Sequence, residues 1–137
     1  MDVLTETQRR RCMSAVRGRD TKPEMVVRRT VHALGYRYRL HRRDLPGCPD
    51  LVFAGRRKVI FVHGCFWHRH NCSKGRSVPS TRRAFWLGKL EENRERDKRN
   101  RRKLAELGWK SMVVWECQTK PSKKEDLKRR SRRFLDG

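Results

Sequence analysis

A long helical stretch lies between two apolar segments, and this order restricts the possible folds more than any other feature of the sequence. The apolar segments at 58–63 (KVIFVH) and 109–117 (WKSMVVWEC) are typical of strands. The stretch from about Pro79 to Leu107 has helical periodicity and ends at Gly108. A strand–helix–strand crossover makes its two strands parallel members of one sheet. We therefore expect an α/β protein in which the carboxyl ends of these strands lie side by side.

The segments around this crossover predict the remaining elements. Thr21-Lys22-Pro23-Glu24 has the form of a capping box, and the apolar periodicity that follows predicts a helix ending at Gly35. Residues 36–40 alternate as in a half-buried strand, and residues 51–63 have the pattern of a β-hairpin. We predict a basic N-terminal arm or helix at 1–20, a core domain at 21–117 and a basic C-terminal tail or helix at 118–137.

The charge of the chain favours an acidic partner. Its 137 residues include 37 Lys and Arg against 15 Asp and Glu, a net charge of +22. So many positive side chains repel one another unless a negatively charged partner neutralises them, and nucleic acid is the leading candidate for that partner. A membrane surface is disfavoured, because the sequence shows no long apolar span, lipidation motif or signal peptide. A solvated surface or basic tail is the alternative, but 35% hydrophobic residues indicate a folded domain.

Cysteine and histidine residues are concentrated in the loop after the first strand of the crossover. Five cysteines without a secretory signal make a disulfide framework improbable and indicate an intracellular protein with reduced thiols. Cys65, His70 and Cys72 offer three ligands for tetrahedral zinc, and Cys117 at the end of the neighbouring strand offers a fourth. Closed coordination of this kind would be structural. The alternative is that these are small buried cysteines and a surface histidine.

A carboxylate at the head of the hairpin points to hydrolysis. Counting antiparallel partners back from the turn places Asp50 opposite residue 61 or 62, next to His63. A carboxylate beside an imidazole suits cleavage of a phosphodiester, with Asp50 binding Mg²⁺ and His63 or His68 moving a proton. The alternative for Asp50 is a turn residue after the sequence PGCP.

Several motifs together resemble those of the very-short-patch repair (Vsr) endonucleases. Pro49-Asp50 at the head of a hairpin is similar to the PD-(D/E)xK nuclease core, and the other motifs are FVHGCFWH at 61–68, Asn93-x-x-Arg96-Asp97 and Trp115-Glu116-Cys117. The similarity extends from about Cys12 to Cys117. It implies a restriction-endonuclease-like fold with a mixed sheet. It also implies an enzyme that nicks one DNA strand beside the thymine of a T:G mispair, which arises when 5-methylcytosine deaminates.

The resemblance assigns roles to individual active-site residues. Asp50 would be the principal Mg²⁺ ligand, helped by the backbone carbonyl of Val62, while His63 and His68 would transfer protons or stabilise the phosphate. Where the (D/E)xK element should fall, this chain has Phe61-Val62-His63, so the second carboxylate is absent and histidine stands in for lysine. Glu24 is either a helix cap or an active-site carboxylate. The zinc ligands implied by the family are Cys65, His70, Cys72 and Cys117.

Large aromatic residues predict how a mispair would be detected. Apolar side chains inserted between base steps unstack a duplex, and this costs less at a mismatch. The resemblance implies this wedge role for Phe66, Trp67 and Trp86; the alternative is that all three pack in the core. It also implies that Met13 reaches in from the other groove and that Lys89 and Asn93 contact the mispair. For Asn93 a bond within the fold is the alternative.

The resemblance also implies the setting of the reaction. The expected partner is double-stranded DNA with a T:G mismatch, bound by a monomer in the bacterial cytoplasm at the nucleoid. A functional link to a cytosine methyltransferase and to downstream repair proteins is implied. Basic residues of the long helix would add affinity without reading sequence. Two rival functions stay open: a restriction-type endonuclease that cuts paired DNA, and a noncatalytic zinc-containing DNA-binding protein.

Overall fold

The computed structural model describes residues 20–137 and contains a four-stranded mixed sheet with helices on both faces. The strands, in their order across the sheet, are β1 (Arg39–Leu40), β2 (Leu51–Phe53), β3 (Lys58–His63) and β4 (Lys110–Trp115). The helices are α1 (Lys22–Ala33), α2 (Ser73–Arg76), α3 (Arg83–Glu106) and α4 (Lys124–Asp136). Single turns of 3-10 helix lie at Ala54–Arg56, Glu116–Thr119 and Pro121–Lys123. The predicted mixed α/β sheet flanked by helices is confirmed, and within residues 20–137 no helix is long and apolar enough to cross a membrane.

The crossover forms as the sequence predicts. β3 and β4 are parallel neighbours, with Val62 opposite Val114 and His63 opposite Trp115. The connecting helix α3 begins at Arg83 rather than near Pro79, because Arg82 immediately before it has a left-handed backbone with a φ of 56°. Gly108 then ends the helix with a φ of 86°. The loop after β3 and the turn after β4 therefore meet at one end of the sheet.

The hairpin adopts one of the two predicted registers. β2 and β3 are antiparallel with Phe53 opposite Lys58, and Arg57 closes the turn in a left-handed conformation. The strand predicted at 36–40 is shorter, since only Arg39 and Leu40 pair with β2 and both are exposed. The positive φ of His41, 50°, turns the chain away after two residues of pairing.

The sheet separates two apolar cores, because successive side chains of a strand point to opposite faces. One core lies between the sheet, α1 and α4, and it contains Val27, Val31, Leu51, Phe53, Ile60, Val114, Leu127 and Leu135. The other core lies towards α3 and contains Leu45, Val52, Val59, Phe61 and Leu104. β3 contributes to both cores, which agrees with its nearly continuous apolar sequence.

The C-terminal segment is part of the first core. In α4 the side chains of Leu127, Ser131 and Leu135 are buried although most of the helix is charged. The buried ammonium group of Lys58 donates to the carbonyls of Phe134 at 2.7 Å and Leu135 at 3.2 Å. A cation at a helix C-terminus satisfies carbonyls that lack intrahelical partners. The folded core therefore continues past residue 117.

Candidate active site and metal centre

Asp50 lies at the end of the sheet where β3 finishes. Its Oδ2 accepts a hydrogen bond from the backbone N–H of Val62 at 2.6 Å. Burial raises the pKa of Asp50 well above its ordinary value, and the neighbouring carboxyl of Glu24 raises this pKa further. Two carboxyl groups that face each other away from water favour a shared proton or a cation. The predicted proximity of Asp50 to the end of β3 is therefore observed.

Glu24 lies in the first turn of α1, close to Asp50. Its backbone N–H donates to Oγ1 of Thr21 at 3.4 Å, so Thr21 caps α1 as the sequence predicts. The Glu24 side chain accepts from the backbone N–H of Asp20 at 2.8 Å and pairs with Arg28. Its exposure is only 2%, and its carboxyl interacts with Asp50. The backbone of Glu24 thus belongs to the cap, whereas its carboxylate faces the site.

His63, His68 and Asp97 form a second group at the same end of β3. The two imidazole rings are stacked with centroids 3.8 Å apart, and Nδ1 of His68 lies 2.5 Å from Oδ2 of Asp97. Burial lowers the pKa of His63 to about 3, with the charge of His68 as the next cause, so the His63 imidazole is neutral near pH 7. Its buried Nδ1 has no hydrogen-bond partner within residues 20–137.

The motif Asn93-x-x-Arg96-Asp97 contains Asp97 but does not by itself indicate a role for it. A carboxylate on the side of a helix that faces the protein needs a polar partner. This requirement could have indicated that Asp97 pairs with another functional side chain. In the structure α3 supplies Asp97 from one face of the sheet, and α1 supplies Glu24 from the other face. Asp50 and the histidines lie between these two helices at the end of β3.

The predicted zinc ligands come together at the neighbouring end of β4. Cys65, His70, Cys72 and Cys117 each offer a ligand atom, and these atoms all lie within 4.8 Å of one another. Nδ1 of His70 is 3.7 Å from Sγ of Cys65 and 3.5 Å from Sγ of Cys117. Zinc bonds of about 2.3 Å to sulfur and 2.0 Å to nitrogen at tetrahedral angles put the two ligand atoms roughly 3.6 Å apart. The spacing of these donors therefore fits a tetrahedral ion.

The surroundings of this cluster shift the pKa values of its thiols in opposite directions and fix the shape of its loop. Burial raises the pKa of the Cys65 thiol to about 12, whereas a backbone N–H from Gly75 lowers the pKa of the Cys72 thiol. The ring of His70 stacks on Trp115 with centroids 4.4 Å apart. A Cβ at Gly75 would lie 1.9 Å from the carbonyl oxygen of His70, so only glycine fits there. These contacts hold the loop in the shape that groups the four donors.

The aromatic residues predicted as a wedge contact one another outside the two cores. Phe66, Trp67 and Trp86 lie with ring centroids 5.2 to 5.9 Å apart, and we call them the aromatic cluster. Trp67 is 49% exposed, which argues against the alternative that all three residues are core. Phe85, which the sequence analysis overlooked, extends the cluster at 5.6 Å from Trp86 and is 48% exposed. Exposed aromatic rings of this size present a stacking surface.

The other residues predicted to contact the mispair differ in accessibility. Lys89 is exposed on α3. Asn93 is buried, donates to the backbone carbonyl of Trp67 at 3.1 Å and accepts from Arg96 at 3.1 Å. Asn93 thus makes a bond within the fold, and that bond supports the aromatic cluster. Met13 lies outside the described residues.

The basic side chains of α3 lie on the solvent side of this helix. Arg94, Lys98, Arg99, Arg101 and Arg102 are all exposed. Their positive charges follow the helix that carries Trp86 near its start and Asp97 further along. An array of this kind attracts a phosphate backbone without regard to base sequence.

Known proteins are similar in sequence to this chain over most of its length. Residues 1–74 match the family model described as DNA mismatch endonuclease Vsr. The chain is 49% identical over 135 residues to the type II nicking enzyme V.XorIIP of Xanthomonas oryzae pv. oryzae, covering 98% of this chain and 97% of that one. It is 44% identical over 116 residues to the DNA mismatch endonuclease Vsr of Escherichia coli, covering 85% and 74%. It is 40% identical over 119 residues to the type II nicking enzyme V.NmeAIP of Neisseria meningitidis, covering 87% and 84%. The chain therefore belongs to the Vsr family of DNA mismatch endonucleases.

Proposed function

We propose that this mismatch endonuclease nicks one strand of duplex DNA beside the thymine of a T:G mispair, in a reaction that depends on Mg²⁺. The observation that carries the proposal is the grouping of Asp50, Glu24 and the His63–His68–Asp97 set at one end of β3. A second group, the aromatic cluster, adjoins this end, since Trp67 directly precedes His68. Recognition and cleavage would therefore act on neighbouring parts of one duplex.

The residues present fit a hard divalent cation. Asp50, with the backbone carbonyl of Val62, would hold the Mg²⁺, and the nearby carboxyl of Glu24 adds negative charge. The raised pKa of Asp50 means that its negative charge is unfavourable without a nearby cation or proton, and a bound cation would remove this cost. Mg²⁺ in such a position would polarise the phosphate and make a bound water more acidic. We assign this arrangement to the PD-(D/E)xK class, with histidine in place of the lysine.

The histidines would move the protons of the reaction. Hydrolysis of a phosphodiester forms a bond from a water oxygen to phosphorus and breaks one phosphorus–oxygen bond of the backbone. The water gives up a proton, and the leaving oxygen takes one. His68, whose Nδ1 is bound to Asp97 at 2.5 Å, is oriented by that carboxylate to accept or donate through its other nitrogen. Neutral His63, stacked on it, would contact the phosphate or pass on a proton.

Discrimination would come from the cost of opening the duplex. Inserting the aromatic cluster between base steps costs a few kcal/mol per step, and the cost is lower at a mispair. Asn93 holds the backbone of Trp67, so the wedge has a fixed base. Lys89 and Met13 would add contacts to the mispair from either side. The cluster Cys65, His70, Cys72 and Cys117 would bind structural Zn²⁺ and fix the loop that carries both Trp67 and His68.

The setting of this activity is also proposed. The partner would be double-stranded DNA in the bacterial cytoplasm, bound by a monomer. T:G mispairs that arise by deamination of 5-methylcytosine would link the enzyme to a cytosine methyltransferase and to later repair proteins. Exposed cations on α3 would make binding weaken steeply as salt rises, on matched and mismatched duplexes alike.

One gel experiment separates this proposal from its rivals. End-labelled duplexes that differ only at one position, T:G, C:G or T:A, are incubated with the protein in Mg²⁺ or in EDTA. Products are then run on denaturing and native gels. A cut in the thymine strand of the T:G duplex alone, which needs Mg²⁺ and leaves the native duplex intact, supports the proposal. Double-strand breaks in paired DNA would indicate a restriction-type enzyme, and intact DNA would indicate a noncatalytic binding protein.

A further inference from the structure

Phe85 and Arg82 form an exposed pair at the start of α3, next to the aromatic cluster. Phe85 is 48% exposed, and the guanidinium carbon of Arg82 lies 4.2 Å from the centroid of its ring. The ring of Trp86 also contacts Phe85, with centroids 5.6 Å apart. These two contacts orient the Phe85 ring and leave about half of the residue accessible. We call Phe85 and Arg82 the Arg82–Phe85 pair.

Phe85 is part of a continuous apolar surface. Single exposed apolar side chains are common on soluble proteins, whereas contiguous apolar patches mark interaction sites. Phe85 adjoins Trp86, and Trp67, which is 49% exposed, lies 5.9 Å from Trp86. Positive charge borders this surface, since Arg82 and Lys89 are exposed. An aromatic surface with a positive border is complementary to duplex DNA, in which base edges lie between two rows of phosphates.

The backbone of Arg82 has an unusual conformation. Its φ of 56° lies in the left-handed region, which residues other than glycine seldom adopt. The side chain of Arg82 makes no capping hydrogen bond to α3, so capping does not account for this conformation. The guanidinium instead lies over the ring of Phe85. Backbone strain of this kind is concentrated at functional sites.

The size of α3 determines which groove of DNA its start can enter. Phe85 and Trp86 are the third and fourth residues of this helix. An α-helix with its side chains is about 10–12 Å wide, which matches the major groove of about 12 Å and exceeds the minor groove of about 6 Å. The start of α3 therefore approaches the bases through the major groove. The apolar feature of the base edges in that groove is the 5-methyl group of thymine.

The angle between the rings gives Phe85 a different contact from that of Trp86. A ring inserted between base steps lies parallel to the bases. The planes of Phe85 and Trp86 are inclined at 78°. When Trp86 is inserted, Phe85 is therefore nearly perpendicular to the bases, and its ring packs against the edge of the neighbouring base pair. Contacts to base edges carry sequence information, whereas contacts to phosphates do not.

We propose that the Arg82–Phe85 pair recognises the base pair next to the mispair: Phe85 packs on the 5-methyl group of a pyrimidine in that pair, and Arg82 binds a phosphate beside it. The inference rests on the proposed recognition of a T:G mispair by the aromatic cluster. A guanidinium that stacks on a ring keeps its N–H groups available to a phosphate. Phe85 thus confers a preference for flanking sequence, and Arg82 adds affinity without such a preference.

The first test removes only the methyl group from the DNA. T:G duplexes carry thymine or uracil in the first base pair beside the mispair, in each strand and on each side in turn. Affinities are measured by competition binding without Mg²⁺, so that no strand is cut. At one position the parent should prefer thymine by roughly fourfold, the worth of one buried methyl group. Phe85→Ala should bind the thymine and uracil duplexes equally.

A matched control and two contrary results make this test decisive. Leu107 is 52% exposed at the other end of α3, about 33 Å from Phe85 at 1.5 Å per residue. Leu107→Ala should keep the preference for thymine. A parent that binds thymine and uracil duplexes equally at every position overturns the inference, and so does a Phe85→Ala protein that keeps the preference.

The second test concerns Arg82. Asn is compatible with a positive φ, so Arg82→Asn removes the guanidinium without adding backbone strain. The slope of log affinity against log salt should become shallower by about one on thymine and uracil duplexes alike. Arg133→Asn removes an exposed charge from α4, on the other face of the sheet, and should keep the slope of the parent. An unchanged slope in Arg82→Asn contradicts the phosphate contact.

A T:A duplex, measured alongside, separates failure of this inference from failure of the proposed function. If the parent binds T:G and T:A duplexes equally, the proposed recognition of the mispair is wrong and this inference falls with it. If the parent prefers T:G but Phe85→Ala weakens binding to thymine and uracil duplexes by the same factor, only the base contact is wrong. Circular dichroism and thermal melting establish that each variant is folded, and Phe85→Gln replaces Phe85→Ala should the latter unfold.

Discussion

Replacing Asp97 with Asn tests whether the pair formed by His68 and Asp97 takes part in cleavage. The substitution keeps the size of the side chain and removes its charge. Oδ2 of Asp97 lies 2.5 Å from Nδ1 of His68, and the two side chains are 19% and 22% exposed. A hydrogen bond to a charged group is worth about 1.5–3 kcal/mol. If that interaction is made in full only in the transition state, its loss slows nicking by roughly 10–150-fold, since 1.36 kcal/mol corresponds to a factor of ten.

The nicking rate falls further if the new amide moves the proton of His68 from one ring nitrogen to the other. An Asn amide can donate to Nδ1, and the other ring nitrogen would then carry the proton and could no longer accept one from the attacking water. A reversal of this kind lowers the rate by up to about 10⁴-fold in a triad where the carboxylate orients a histidine. The assay is single-turnover nicking of a labelled T:G duplex at saturating enzyme, with binding measured separately by fluorescence anisotropy. We expect a slow rate and unchanged binding.

A neighbouring carboxylate provides the matched control for this variant. Glu95 lies two residues before Asp97 on α3, is exposed, and pairs with Lys98 at 3.6 Å. Glu95→Gln removes the same charge from the same helix, so it should nick at the rate of the parent. If Asp97→Asn also nicks at that rate, the pair with His68 is structural and the proton-transfer argument fails.

Three further predictions follow from the aromatic cluster, the cysteine cluster and α4. Trp67→Ala should reduce discrimination between T:G and paired duplexes by about 1–3 kcal/mol, the worth of one base–aromatic stack; equal discrimination in competition binding would return Trp67 to a packing role. Cys72→Ala should lose the bound zinc, one equivalent per chain in the parent, and lower the melting temperature; metal analysis that finds no zinc in the parent removes this prediction. Leu135→Ala should destabilise the fold by about 2–5 kcal/mol in urea titration, because Leu135 is 1% exposed and lies in the core. Leu107→Ala, at a side chain that is 52% exposed, should cost much less, and equal effects would show that α4 is not part of the core.

The sequence predicted the elements whose signals are local or follow from topology. The parallel arrangement of β3 and β4 follows from a crossover, and it predicts that Cys117 lies beside the loop of Cys65, as the structure shows. Counting residues across the turn allowed two hairpin registers, with Asp50 opposite residue 61 or 62; in the structure Phe53 lies opposite Lys58, and Asp50 accepts from the N–H of Val62. These inferences needed only the period of the apolar residues and the handedness of connections.

The interactions that the sequence did not predict are long-range contacts between polar side chains. Lys58 caps the end of α4 through the carbonyl of Phe134, 76 residues further along the chain, and no local pattern predicts such a contact. Charged residues dominate α4 and only three of its residues are buried. Its sequence is therefore hard to distinguish from that of a solvated tail. The bond between His68 and Asp97 and the contact between Arg28 and His41 likewise join different elements. The late start of α3 depends on the left-handed backbone of Arg82, a conformation that arginine rarely adopts and that the local sequence does not predict.

The most direct test of the central claim is the behaviour of Asp50→Asn on a T:G duplex in Mg²⁺. Asp50 is assigned to the metal and to no step of mispair recognition, so binding and cleavage should separate in this variant. We predict that it binds the T:G duplex with the affinity and the preference of the parent, and that its single-turnover nicking is abolished. Near-normal nicking by a folded Asp50→Asn protein would contradict the account and return Asp50 to the role of a turn residue.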